Sequence, residues 1–312
     1  MTMTAPYDGV GTIAADCPAC RTPRTKGTAL FHFGYGVAAR SLPVTLRRCS
    51  TCRFMYLSPR PNDVALRARC YAAYNRPRVQ ATRGGHTRAL MFSSLLDLLE
   101  RQMPQPRVLL DVGCATGRLM STAEKRGWRT AGVEADPQGA AYARAQGLSA
   151  QCCTSLADSD FRPASFGAIL MIDSLYYFAD PAAELRWAQR LLSSGGCLLI
   201  RVPNRQWIVL ALHVIARIAP CLRERLSRLV FRYCASDALW ICHLPTLKRM
   251  LAEAGFRDVR LLPAPASRGE HGLRLLLMQF LNVVASGLSR ATGGRWLVST
   301  GAVAMARNGA AG

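Results

Sequence analysis

Lysine and acid are scarce in this chain. Lys26, Lys125 and Lys248 are its three lysines, and 19 acids face 40 basic residues, for a formal charge of +21 over 312 residues. No apolar run reaches the length of a membrane-spanning helix. The longest, 207–218 and 273–286, are each broken by arginine or histidine. The opening residues, MTMTAPYDGVG, are polar and unpatterned, without the charged-then-apolar order of a secretion leader. There is no low-complexity tail either, and half the residues are apolar, which predicts a folded globular protein. Together these absences place the chain in the cytoplasm. They do not explain its charge, which is unevenly spread. Residues 1–100 carry fourteen bases against five acids, 101–200 ten against nine, and 201–312 sixteen against five. A nearly neutral centre thus has basic flanks, which suit an anionic lipid surface, a phosphorylated substrate or nucleic acid. Arginine standing in for lysine throughout is equally read as a compositional bias.

Twelve cysteines are many, yet without a leader they argue against a disulfide scaffold. Eight are scattered in apolar contexts where a small buried thiol is ordinary. The other four form a pattern: Cys17-Pro-Ala-Cys20 and Cys49-Ser-Thr-Cys52, with 28 residues between the pairs. Two thiolates three positions apart can hold one metal ion from a tight turn, and two such turns complete a tetrahedral site. The intervening sequence reads as two strands joined by a glycine turn, returning the second pair to the first. With Cys17, Cys20, Cys49 and Cys52 as ligands, a zinc ion there is structural, because a catalytic zinc keeps a position open for water. His32 then finds no vacancy.

The centre of the chain is organised around RVLLDVGCATGRLM, residues 107–120. An apolar strand (Val108, Leu109, Leu110) ends on Asp111, a turn holds Gly113 and Gly117, and a helix follows. Glycines let the backbone bend sharply and approach a ligand, and the helix start offers unpaired N–H groups. The dinucleotide spacing G-x-G-x-x-G is missing. What stands there, D-x-G-x-x-x-G, resembles the first motif of the class I S-adenosylmethionine (SAM)-dependent methyltransferases. Strands and helices alternate downstream, which implies an α/β, doubly wound sheet. The 191–204 stretch LLSSGGCLLIRVPN is similar to the family's L-L-x-x-G-G-x-L-x-I-x-x-P-N.

The resemblance implies a Rossmann-like fold with a mixed seven-stranded sheet and helices on both faces, plus a small N-terminal zinc ribbon. It assigns SAM contacts to Asp111, Gly113, Cys114, Ala115, Gly117, Glu134, Ala135, Leu156, Ile172 and Asp173. Glu134, an acid at the tip of the second strand, would clamp the ribose diol, since a carboxylate only accepts. Asp136, before Pro137, is the second choice and suits a helix cap. The closing strand TGAVAMAR is expected antiparallel at the sheet edge.

Four cysteines followed by a P-x-P and a helix ending Y-x-x-Y look like the lead-in of zinc-ribbon-bearing bacterial methyltransferases. These commonly modify glycans, sugars, lipids or secondary metabolites. The implied organisation is a ribbon over 1–60, a helical lead-in over 61–106 and a methyltransferase domain over 107–312, with inserts at about 205–242 and 264–298. The sequence departs from the family at residues 154–158, which lack its G-D signature beside the adenine, and in two further places. Gly167 replaces the usual Asp before the fourth apolar run, and Tyr176 and Tyr177 replace a Glu–His pair that can accept a proton. Candidates on the acceptor side are then Tyr177 and His213, which lies four residues from Arg217 on one helical face. His243 reads as a cap or turn residue.

The expected activity is direct methyl displacement onto a small molecule, sugar or glycan, or lipid-linked precursor. The alternatives are an RNA or protein methyltransferase, or a non-catalytic binding protein on the same fold. The basic apolar inserts suit peripheral attachment at the inner face of a membrane, and equally a hydrophobic lid or a dimer interface.

Overall fold

The computed structural model describes residues 9–37, 40–66, 84–103, 108–236, 238–264 and 299–309, with 283, 284, 287, 291, 292 and 297 between the last two stretches. Most of the expected 264–298 insert therefore lies outside the described residues, as does most of the helix expected after Asn62. The chain divides into two compact units. One comprises Met1–Arg76, Tyr176–Pro181 and Arg205–Leu247, and the other Pro77–Leu175, Ala182–Asn204 and Lys248–Gly312.

The first unit opens with strands β1 (Thr12–Ile13), β2 (Thr28–Val37), β3 (Arg40–Arg48), β4 (Met55–Leu57) and β5 (Arg60–Pro61). β2 alternates: Phe31, Phe33, Tyr35 and Val37 are buried while His32 and Gly34 face out, the period of two expected of a strand with one covered face. It pairs antiparallel with β3, Phe33 opposite Val44 and Tyr35 opposite Leu42. Gly34 and Gly36 are ladder residues of β2 and do not make the turn expected of them. The ladder ends with Val37 opposite Arg40, and residues 38–39 lie outside the described residues.

The second unit begins with α1 (Gly84–Glu100), which buries Met91, Phe92, Leu95, Leu96 and Leu99 at helical spacing. Leu90 of the same helix is exposed. Then follow β6 (Val108–Val112), α2 (Arg118–Glu124), β7 (Arg129–Glu134), α3 (Pro137–Ala145), β8 (Ala150–Cys152), β9 (Phe166–Ile172), α4 (Pro181–Leu191) and β10 (Leu192–Pro203). Every residue of β9 is buried, as a central parallel strand covered on both faces requires.

The chain returns to the first unit through α5 (Gln206–Ile218), a 3-10 turn (Pro220–Leu222), α6 (Arg223–Val230) and β11 (Trp240–Ile241), which pairs with β4. Val209 and Ala216 of α5 and Leu226 and Val230 of α6 share one core with Phe31, Phe33 and Tyr35. Finally come α7 (Leu244–Glu253), β12 (Phe256–Pro263) and β13 (Gly301–Asn308).

The large sheet has the order β12-β13-β10-β9-β6-β7-β8. β6–β10 run parallel, and β13 is antiparallel to both its neighbours. The expected seven-stranded mixed sheet is present, with one correction: β13 is not the edge. It sits between β10 and β12, and its all-apolar inner run, Ala302–Ala306, is buried accordingly. Strand order reverses between β6 and β9, the place where open α/β sheets bind ligands at the carboxyl ends of their strands. No described helix is long and apolar enough to cross a membrane.

Candidate functional site

The turn between β6 and α2 is held by its own backbone. The N–H groups of Gly113 and Cys114 both donate to the Val133 carbonyl, at 2.8 and 3.0 Å, and Gly117 N–H donates to Cys114 at 2.8 Å. Gly113 and Gly117 have φ of +83° and +79°, the left-handed region that glycine adopts without penalty. A Cβ at Gly113 would also lie 2.7 Å from Cβ of Ser174, so the turn passes directly against the segment leaving β9.

Glu134, at the tip of β7, accepts from Ala115 N–H at 2.7 Å and from Asp136 N–H at 2.8 Å. Its half-buried carboxylate is thereby fixed beside the glycine turn, and burial raises its pKa above the usual range. Asp136 instead caps α3, accepting from Gln138 N–H at 3.1 Å with Pro137 in the first helical position. The loop after β8 is tied down by Glu184 of α4, which accepts from Leu156 N–H at 2.9 Å and from the Ser155 hydroxyl at 2.5 Å.

Asp111, Asp173 and Ile172 complete the group at the carboxyl ends of β6 and β9. Asp111 is buried, and its pKa is pushed up to about 7, first by burial and then by the nearby Glu134 charge, with Arg88 acting in the opposite direction. Asp173 sits at φ +56° and forms an ion pair with Arg201 of β10. Buried near it, Ser174 Oγ and Arg201 Nε have no hydrogen-bond partner among the described residues. Arg201, Ser174 and Glu184 were not singled out from the sequence. The available signal was one charged residue inside the otherwise apolar CLLIRV.

In the first unit the four cysteines converge. Their sulfurs all lie within 4.8 Å of one another, Cys17 to Cys52 at 3.5 Å and Cys20 to Cys49 at 3.6 Å. Four thiolates bound tetrahedrally at about 2.3 Å place their sulfurs about 3.8 Å apart, so this spacing fits zinc. The two knuckles repeat one geometry. Cys17 N–H donates to Thr22 and Cys49 N–H to Phe54, and the residue after each second cysteine, Arg21 or Arg53, is left-handed. The neighbouring Cys17 sulfur, in hydrogen-bond contact, lowers the pKa of Cys52.

His213 and Tyr177 also belong to the first unit. The His213 Nδ1–H donates to the Leu30 carbonyl at 3.1 Å, and its ring meets Phe31 edge-on at 5.7 Å. Burial lowers its pKa, the bond to Leu30 opposes that, and Arg217 and Arg223 act with burial. Tyr177 lies in a 3-10 turn, its ring 4.7 Å from that of Tyr176. His243 directly precedes α7: its carbonyl accepts from Leu247 N–H at 3.0 Å, and its ring bonds the Thr246 hydroxyl at 2.8 Å.

A parallel α/β sheet with a glycine turn after its first strand and an acid at the next strand tip is the framework of a nucleotide-cofactor enzyme. Residues 84–261, more than half of the chain, match the family model described as a methyltransferase domain, and the chain belongs to that family. The ubiquinone biosynthesis O-methyltransferase of Idiomarina loihiensis is 31% identical over 119 residues, covering 34% of this chain and 49% of that protein. That of Xanthomonas oryzae pv. oryzae is 31% identical over 125 residues, covering 36% and 52%. The chain thus spans about half the length of the curated relatives it matches. The solved structure of Haemonchus contortus phosphoethanolamine N-methyltransferase 2 with S-adenosyl-L-methionine shares the fold, at a TM-score of 0.50 and 17% identity over 82% of this chain and 63% of that one.

Proposed function

We propose that this chain is a SAM-dependent methyltransferase of the cytoplasm that acts on a small molecule, a sugar or glycan, or a lipid-linked precursor. The observation that carries this reading is the carboxylate of Glu134, fixed by two backbone N–H groups at the edge of the Gly113–Gly117 turn. The donor set fits the cofactor. Glu134 offers an acceptor for a ribose diol, and Gly113, left-handed and packed against Ser174, holds the turn in place beside it. Ala115 and Ala135 present backbone beside Glu134, Cys114 and Gly117 shape the turn, and Leu156 and Ile172 give apolar surface for an adenine ring. Asp111, where ionised, supplies negative charge toward a cationic cofactor, and Asp173 is held in place by its ion pair with Arg201. When bound, SAM supplies an electrophilic methyl group on a sulfonium; the protein's share is alignment, exclusion of water and removal of a proton where the acceptor carries one. The names of the curated relatives support a small-molecule acceptor.

On the acceptor side we carry Tyr177 and His213. With Nδ1–H donating to Leu30, Nε2 is the atom left to accept a proton, and a lowered pKa favours the unprotonated ring that this task needs. The four cysteines hold a structural zinc ion, which we assign no part in the chemistry.

Calorimetry with SAM and with its demethylated product tests the cofactor. Binding of either near the micromolar range is expected, and failure of both to bind removes the enzyme reading. Incubation of the protein with methyl-labelled SAM and a cell extract then identifies the acceptor. Label in a metabolite, glycan or lipid fraction is expected, whereas label in RNA or protein alone overturns the acceptor class. Substituting His213 by Gln should lower kcat while SAM affinity is kept; an unchanged kcat excludes it.

A further inference from the structure

Helix α5 is apolar on both sides, and among the described residues only one side has a partner. Val209 and Ala216 are sealed into the core of the first unit. Trp207, Ile208, Val214, Ile215 and Ile218 are exposed, Trp207 at 55% and Ile218 at 79%. At 3.6 residues per turn these five fall within about 120° of one another, a single stripe opposite the sealed face. Monomeric soluble proteins rarely leave so many large aliphatic groups contiguous and uncovered.

The continuation past the 3-10 turn is different in kind. Arg223, Arg225, Arg228 and Arg232 are all exposed, together with Arg217 at the end of α5, and Glu224 is the one exposed acid among them. Leu222, Leu229 and Tyr233 are exposed between these arginines. The surface therefore combines an aliphatic stripe with a cluster of guanidinium groups.

We infer that the outer face of α5 and the arginines of the following helix dock this protein on an anionic lipid bilayer. The helix would lie in the plane of the interface with its stripe in the acyl boundary. The charge decides the occupant. A second copy of the chain would bring two arginine clusters together, which repel. A nucleic acid would neutralise the arginines but leave the isoleucine and valine stripe in water, since stacking on bases requires aromatic or guanidinium planes. An anionic bilayer covers both features: acyl chains take the aliphatic stripe and lipid phosphates pair with the guanidinium groups. α5 has 13 residues, too few to span the membrane, so an in-plane position is the one open to it. The inference is independent of the methyltransferase reading, because none of these residues belongs to the cofactor group.

The test is flotation of the full chain with vesicles of phosphatidylcholine alone and of phosphatidylcholine with phosphatidylglycerol. Binding to the anionic vesicles is expected, weakened by salt, with little binding to the neutral ones. The exposed double variant Ile215→Ser/Ile218→Ser should reduce that binding about tenfold or more. A triple variant, Arg223→Gln/Arg225→Gln/Arg228→Gln, should remove the preference for anionic lipid. Both variants should keep the wild-type melting temperature, since all five side chains are in solvent, and both should keep the wild-type affinity for SAM. Absence of binding to anionic vesicles overturns the inference, as does binding that neither variant weakens. A stable dimer in light scattering that the isoleucine variant converts to monomer also overturns it, in favour of a second copy. Loss of SAM binding by the wild-type chain would sink the functional reading and leave this one standing.

Discussion

Asp173 and Arg201 form an ion pair between the tips of two adjacent parallel strands, with side chains 14% and 6% exposed. The same two residues are joined through the backbone, Asp173 N–H donating to the Arg201 carbonyl at 3.0 Å. Asp173 is left-handed at φ +56°, so its carboxylate reaches the guanidinium at a conformational cost that the pair offsets. Removing one partner leaves a buried charge without compensation, which costs about 3–5 kcal/mol. Arg201→Met should therefore destabilise the chain by about that amount in urea denaturation. The double variant Asp173→Asn/Arg201→Met should lose clearly less than the sum of the two single losses. Additive losses would show that the pair does not act as a unit.

Gly113 and Gly147 separate two effects that a glycine substitution usually mixes. Both are left-handed, at φ +83° and +82°. A Cβ at Gly147 meets nothing within 4 Å, whereas one at Gly113 lies 2.7 Å from Ser174 Cβ. Gly147→Ala should cost only the backbone term, about 1 kcal/mol, and leave SAM affinity intact. Gly113→Val should abolish SAM binding while the chain stays folded, as circular dichroism and calorimetry would report. Retained affinity would show that the turn is not part of the cofactor site.

The parallel core was legible in the sequence because its strands, covered on both faces, read as uninterrupted apolar runs between glycine turns. The LLSSGGCLLIRVPN stretch placed β10, and Pro137 after Asp136 marked the cap of α3, both from local chemistry. Three things were out of reach. The position of β13 inside the sheet depends on long-range pairing with β10 and β12, and its sequence is equally compatible with an edge. The partner of Asp173 lies 28 positions away, beyond any periodicity. The two-sidedness of α5 was hidden for a different reason: large apolar residues lie on both its sealed and its open face, and the sequence does not say which of them the core covers. The glycines of β2 misled in the opposite direction. They lie in a ladder, and Gly34 passes so close to Ser41 that a Cβ there would sit 2.3 Å from its hydroxyl oxygen.

Asp111 makes the cofactor site sensitive to pH. Its pKa of about 7 in the folded chain exceeds the value near 3.8 of an unperturbed carboxyl, chiefly through burial and then through Glu134, with Arg88 opposing. Between about pH 4 and 7 the native state holds this proton more tightly than the unfolded chain, so the contribution of Asp111 to stability falls as pH rises. Above 7 that cost is complete and levels off. Cationic SAM favours the carboxylate, so its affinity should rise from pH 6 to 7.5, with proton release on binding at the lower end. Calorimetry in buffers of different ionisation enthalpy measures that release. Asp111→Asn should bind SAM more weakly and without this pH dependence. An affinity flat across the range in the wild-type chain would remove Asp111 from the cofactor's surroundings.

Removal of metal should unfold the first unit selectively, because little but the metal joins its two knuckles. Each knuckle is one turn closed by a single pair of backbone hydrogen bonds, and across the gap the sulfur atoms meet beside one exposed hydroxyl bond, Thr22 to Thr51 at 3.1 Å. Four thiolates brought within 4.8 Å without a cation repel one another, whereas zinc converts that repulsion into binding energy that is also folding energy. Elemental analysis should give one zinc per chain, falling to none in Cys49→Ser, which deletes a ligand from a buried position. Chelation or that substitution should lower the melting temperature and expose the β2–β3 hairpin to protease, since Leu46 and Met55 pack in the core next to the second knuckle. SAM binding should survive, because every residue assigned to the cofactor belongs to the other unit. Retention of the melting temperature after complete loss of zinc would mean that the apolar core of β2, β3 and β4 suffices by itself, and that the four cysteines have a purpose other than holding the fold.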